Sequence, residues 1–135
     1  MSVASKYIFP INSERLSIFM DEGVVNEALE KAQIYSKALS SSLIQIISCQ
    51  EKPISSAKLA NMLHLSVVLA KKVQYFSSVA QQKIVNSSNL LRLFCGIIYT
   101  LEEIAESNLD AENIANFLYG IFELLNEINS TTLAE

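Results

Sequence analysis

The side chains able to do chemistry are few and scattered. His64 is the single histidine, so a mechanism that passes a proton between two imidazoles is excluded, and no carboxylate stands within a helical turn of it. Grouped carboxylates occur at Glu102, Glu103 and Glu106 and again at Glu123 and Glu127. The four-residue step of the second pair suits a helix-borne metal site. A di-metal bundle, however, also needs Glu-x-x-His on two helices, and that pattern is absent. Cys49 and Cys95 lie far apart, outside any Cys-x-x-Cys or Cys/His cluster, and are expected to be buried free thiols on apolar helix faces. No glycine-rich phosphate loop, nucleophile elbow or His-Glu-x-x-His motif is present. These observations argue against an enzyme and give no residue a catalytic, metal-ligating or cofactor-binding role.

Charge is distributed in blocks. The net charge of −4 conceals a stretch, 52–100, with Lys52, Lys58, Lys71, Lys72, Lys83 and Arg92 and no acid. It is followed by a stretch, 101–135, with Glu102, Glu103, Glu106, Asp110, Glu112, Glu123, Glu127 and Glu135 and no base. Such blocks neutralise each other inside the fold or across a dimer, or they present a basic face to an acidic partner.

Within the basic block, residues 56–73 (SAKLANMLHLSVVLAKKV) resemble the helix-turn-helix of bacterial regulators. Leu59, Ala60, Leu63, Leu65 and Val73 fall at its buried positions, and Ser66 opens the second helix. The match covers about an eighth of the chain. His64 stands where such turns carry glycine, and Val67 and Val68 stand where a recognition helix shows polar groups to base edges. The resemblance implies a regulator that binds DNA, with Lys58, Lys71, Lys72 and Lys83 on the phosphates.

The elements that must position these groups are helical. Half of the 135 residues are hydrophobic, and only 3 glycines and 2 prolines interrupt them, which implies long elements. Leu90, Phe94, Ile97, Leu101 and Ile104 recur at helical steps, as do Ile114, Leu118, Ile121, Leu125 and Ile128, so each set lines one face. The connection at 106–109 is short, with Asp110 as an N-cap and Leu109 and Ile114 as a hydrophobic staple, and it predicts an antiparallel helical hairpin in contact along its length. Upstream, Val25, Ala28, Leu29, Ala32, Leu39, Leu43, Ile46 and Ile47 mark a helix over 24–50. Pro53 breaks the chain, and Ser55 or Ser56 caps a further helical stretch. Its pattern over 57–85 reads as one long helix or as two with Ser66 as a second cap. A short helix capped by Asn12 or Ser13 and carrying Leu16, Ile18, Phe19 and Met20 precedes them, after an arm at 1–11. The reading is all-α: a single helical domain over 1–135, a bundle of about five helices with the C-terminal antiparallel hairpin as its core.

Both hairpin helices are apolar beyond one stripe. The first also carries Leu91, Leu93, Cys95, Ile98 and Tyr99, and the last carries Phe117, Tyr119, Phe122 and Leu124. Helices apolar most of the way round are central in a larger core or shared with another chain. The expectation is therefore a binder of other proteins, pairing as a homodimer or with a partner in its place. Phe117, Tyr119, Phe122 and Leu124 are its anchors, with Glu123 and Glu127 in an acidic rim. Adaptors, secretion chaperones, antitoxins and inhibitors of bacteria and phages are similar in composition. A ligand pocket lined by Phe94, Tyr99 and Phe122 is a further possibility. The most apolar run, 90–101, is far shorter than the roughly 20 residues a bilayer requires, and a soluble, cytoplasmic protein is expected.

Overall fold

The computed structural model describes residues 21–49, 55–107 and 110–133. Among them are four α-helices and no strand: α1 (Glu22–Ser48), α2 (Ser56–Val79), α3 (Ser87–Glu106) and α4 (Ala111–Ser130), with a short 3₁₀ turn at Gln81–Lys83 between α2 and α3. The arm and short helix expected over 1–20 lie outside the described residues, as do Pro53 and Leu109.

Local chemistry starts these helices where the sequence places its caps. The Asp21 carboxylate accepts from Gly23 N–H at 2.7 Å, so Asp21, Glu22 and Gly23 open α1. Ser55 Oγ accepts from Lys58 N–H at 3.2 Å, and Asp110 Oδ1 accepts from Asn113 N–H at 2.9 Å, each satisfying an orphan donor of the first turn. Asn86 differs: it enters α3 at φ 56° with no side-chain cap bond, a left-handed conformation that asparagine tolerates better than most residues. At the other end, Leu133 N–H returns to Ile128 O at 2.9 Å and the leucine is buried, so the chain turns back onto the core just after α4.

Stretch 57–79 is one helix. Ser66, the supposed second cap, is fully buried inside α2. Its hydroxyl bonds Met62 O at 3.1 Å and meets Ser42 Oγ of α1 at 2.8 Å. The turn that a helix-turn-helix requires is therefore absent, and Ser66 instead joins α2 to α1.

Cross-helix contacts give the topology. Ser42 meets Ser66 and Tyr35 stacks on Phe76 with centroids 5.8 Å apart, so α1 and α2 run antiparallel. Gln74 Nε2 donates to Cys95 Sγ at 3.0 Å and Lys71 reaches Glu102 at 3.5 Å, so α2 and α3 do too. Ser36 Oγ donates to Asn129 Oδ1 and Ser40 Oγ to Asn126 Oδ1 at 3.1 Å, setting α4 antiparallel to α1. The result is an up-down-up-down bundle in which α1 is flanked by α2 and α4. Small buried residues on α1 at four-residue steps, Ala28, Ala32, Ser36 and Ser40, let neighbouring backbones approach closely.

The core is continuous and fills all four helices. Leu39, Leu43, Ile46, Leu63, Val73, Phe94, Leu101, Leu118 and Leu125 are within 1% of full burial. The expected tight hairpin is the departure. Backbones approach densely between α1 and α2, α2 and α3, and α1 and α4, but only sparsely between α3 and α4. Both helices carry leucine and isoleucine, and α4 also phenylalanine, on the sides that flank this seam, where α1 offers alanine and serine to its neighbours.

Candidate docking surface on the last two helices

The splayed α3/α4 seam has two rails on each bank. On α3, Leu93, Ile97, Thr100 and Ile104 recur at steps of four, three and four, and on α4, Phe117, Ile121, Leu124 and Ile128 do the same, so each set lies along the side facing the other helix. Ile97, Ile104 and Ile128 form the buried inner rail. The outer rail is only partly covered, with Leu93 at 37% and Phe117 at 52% exposure. At one end the seam opens into a cavity of about 310 Å³, lined by Val85, Asn86, Leu90 and Leu93 against Ile128, Thr131 and Thr132. A second cavity, of about 330 Å³, lies between α2 and α3, among Leu59, Leu63, Ile104 and Ala105, and touches α4 at Ile114.

Gly96 and Gly120 stand on the two outer banks, each one turn from outer-rail residues: Leu93 and Thr100 for the first, Phe117 and Leu124 for the second. A Cβ added at either glycine would meet nothing within 4 Å. Around the seam the acids Glu103, Glu106, Glu112, Glu123 and Glu127 are exposed, and none forms an ion pair with another described residue.

This geometry divides the expected anchors into two groups. Phe117 and Leu124 belong to the seam. Tyr119 and Phe122, whose rings lie 6.3 Å apart, share a face with Asn126 and Asn129, the residues bonded to α1, and so flank the α1 side of α4. Glu123 and Glu127 stand between the two groups on the outward face. Phe94 is sealed in the core while Tyr99 is 65% exposed, so the pocket imagined among Phe94, Tyr99 and Phe122 does not form.

The lysines are also dispersed. Lys71 pairs with Glu102 at 3.5 Å and Lys83 with Glu22 at 3.0 Å, so part of the basic block is neutralised inside the fold. Lys58 and Lys72 share the outward face of α2 with exposed Leu65, Val68 and Tyr75. Sequence reasoning missed this stripe, because residues 65, 68, 72 and 75 keep the same spacing as a core face. It also missed the cluster on the α1/α2 groove, where Lys31 Nζ lies 5.3 Å from the Phe76 ring centroid beside Tyr75.

His64 is exposed on α2. Cys95 is exposed and Cys49 partly so, which corrects the expectation of two buried thiols: at Cys95 the α3 face turns away from the core towards Gln74. Among the described residues no three of the His, Cys, Asp and Glu side chains gather as metal ligands, and no helix is long and apolar enough to cross a membrane.

No protein-family model, curated protein or solved structure matches the chain.

Proposed function

We propose that this chain is a non-enzymatic protein-binding module, of the adaptor, chaperone, antitoxin or inhibitor kind, and that its α3/α4 seam receives an apolar segment flanked by basic residues. The supporting observation is the pairing of half-exposed Leu93 and Phe117 on a splayed seam with a surround of acids that have no partner in the described fold. Apolar area supplies affinity at about 25 cal/mol per Å² removed from water, and the acidic surround steers a basic partner and disfavours an acidic one. A second copy docked face to face through the same seam would set Glu123 and Glu127 against like charge, so a basic partner is the better complement.

The test is capture from the native host with the full chain and with Leu93→Asp and Phe117→Asp, using Tyr75→Asp on the outward face of α2 as control. A species retained by the parent and the control and lost with both seam variants supports the proposal; a hot-spot loss of about 2 kcal/mol corresponds to roughly thirtyfold weaker binding. Capture that is indifferent to the seam variants, or light scattering that shows a dimer dissolved by Tyr75→Asp and not by Phe117→Asp, overturns it.

A further inference from the structure

We infer that the α3/α4 seam accepts a second copy of this chain, which presents the outward face of its α2, so that copies associate head to tail. The inference rests on reading the seam as a docking groove and adds a definite occupant for it.

The α2 face has the form such a groove takes. Leu65, Val68, Lys72 and Tyr75 recur at steps of three, four and three and so share one stripe. Leu65 is 52%, Val68 38% and Tyr75 57% exposed, which leaves three large apolar side chains standing clear of their own core on an unbroken helix. From 65 to 75 the stripe covers about 15 Å at 1.5 Å per residue, enough to lie along the outer rails from Leu93 to Thr100 and from Phe117 to Leu124. A helix laid by its apolar stripe into an apolar groove is a recurrent mode of recognition, with anchors at this spacing.

Charge selects this pairing over the symmetric ones. α2 carries Lys58, Lys71 and Lys72 and no acid. Lys71 is engaged by Glu102, while Lys58 and Lys72 are exposed without an ion pair among the described residues. On α3 and α4 the exposed acids around the seam stand against a single base, Arg92. Two seams brought together would oppose acid to acid, and two α2 faces would oppose lysine to lysine. The α2 face set into the seam opposes lysine to glutamate.

The bundle keeps the two surfaces apart. α2 packs against α1 and α3, and α4 packs against α1, so α2 and α4 stand at opposite corners and the α2 stripe points away from the seam of its own chain. A copy cannot fill its own groove, and surfaces that diverge are not both exchanged within one pair. The contact is therefore heterologous and continues into a ring or an open chain. Gly96 and Gly120 fit an incoming helix. A mid-helix glycine costs about 1 kcal/mol relative to alanine, a Cβ at either would meet nothing within 4 Å in its own chain, and the bare backbone on each bank admits a close neighbour.

Analytical ultracentrifugation of the purified full-length chain, with no other protein present, tests the inference. The expected weight-average mass rises with concentration past twice the 15.0 kDa of one chain. Tyr75→Asp and Phe117→Asp should each weaken association roughly thirtyfold, the effect of losing one hot spot, and sediment as single chains. Their equimolar mixture should recover a species of two chains and none larger, because each variant keeps one competent surface. Ile34→Asp, at a 56% exposed site on α1, should behave as the parent. Far-UV circular dichroism checks that each variant keeps its helices, and Leu65→Asp or Leu93→Asp replaces one that does not. A parent that sediments as a single chain at every concentration overturns the inference. So does association that survives either variant, or a mixture that fails to pair. Single-chain behaviour together with seam-dependent capture of a foreign protein would refute this inference and leave the proposed function standing. Association as expected, with no foreign protein captured, would refute the adaptor reading and leave this inference standing.

Discussion

Asn129→Ala tests whether a polar ladder closes the bundle. The Ser36 hydroxyl is fully buried and donates to Asn129 Oδ1, while one turn along Ser40 donates to Asn126 at 3.1 Å. Removing the Asn129 amide strands a buried donor, which costs about 1–3 kcal/mol. The hydroxyl recovers part of this by turning to the carbonyl one helical turn back, and alanine in the last turn of α4 gains a few tenths of a kcal/mol in propensity. The expected net loss is about 1–2 kcal/mol, which at this chain length lowers the thermal midpoint by about 4 °C per kcal/mol. Ser36→Ala removes the donor along with its need for a partner and should cost less. Combined with Asn129→Ala it should cost about 1 kcal/mol less than the two single losses together. Urea unfolding followed by far-UV circular dichroism measures all four corners of the cycle, provided the slope against denaturant is unchanged. Strict additivity would refute the reasoning, because it would mean that the two side chains do not share a bond in the folded protein.

Other outcomes follow from burial and capping. Phe94→Ala should destabilise by about 3–5 kcal/mol and Leu118→Ala by about 2–5 kcal/mol, whereas Tyr99→Ala on the solvent face should stay within about 0.5 kcal/mol; denaturant midpoints separate the two classes. Asp110→Ala should cost about 1 kcal/mol through the lost N-cap of α4, and Asp110→Asn should recover most of it in the same assay. Cys95, exposed on α3, should react with an aromatic disulfide reagent well before the partly covered Cys49, and Cys95→Ser should abolish the fast phase.

Periodicity reveals which side of a helix is buried but not what lies opposite. The buried faces of α3 and α4 were legible because Leu90, Phe94 and Leu101, and likewise Ile114, Leu118 and Leu125, repeat at helical steps around a full stripe. Asp110 was legible because a cap is local chemistry. The distance between the two helices was not, since it depends on α1: its small residues and its serine-to-asparagine bonds draw α4 towards itself. The same limit explains Ser66, which reads as a cap only until Ser42 is known to lie against it. The residues of the proposed docking surface were half legible. Surplus apolar side chains on α3 and α4 flagged a surface, but separating Phe117 and Leu124 from Tyr119 and Phe122 required knowing which side of α4 faces which neighbour.

The serine–asparagine contacts that hold α4 in place join residues 93 and 86 positions apart, against 24 for the contact between Ser42 and Ser66. Chain-closure entropy makes the longer tether about 1 kcal/mol dearer to form. With few backbone contacts to α3 as compensation, α4 is the last wall to be raised and the first to loosen. Spontaneous opening should therefore begin at the helix carrying Phe117, and its amides should exchange with deuterium sooner than those of α1. Under the proposed function, the face offered to a partner thus rides on the helix expected to open first among those described.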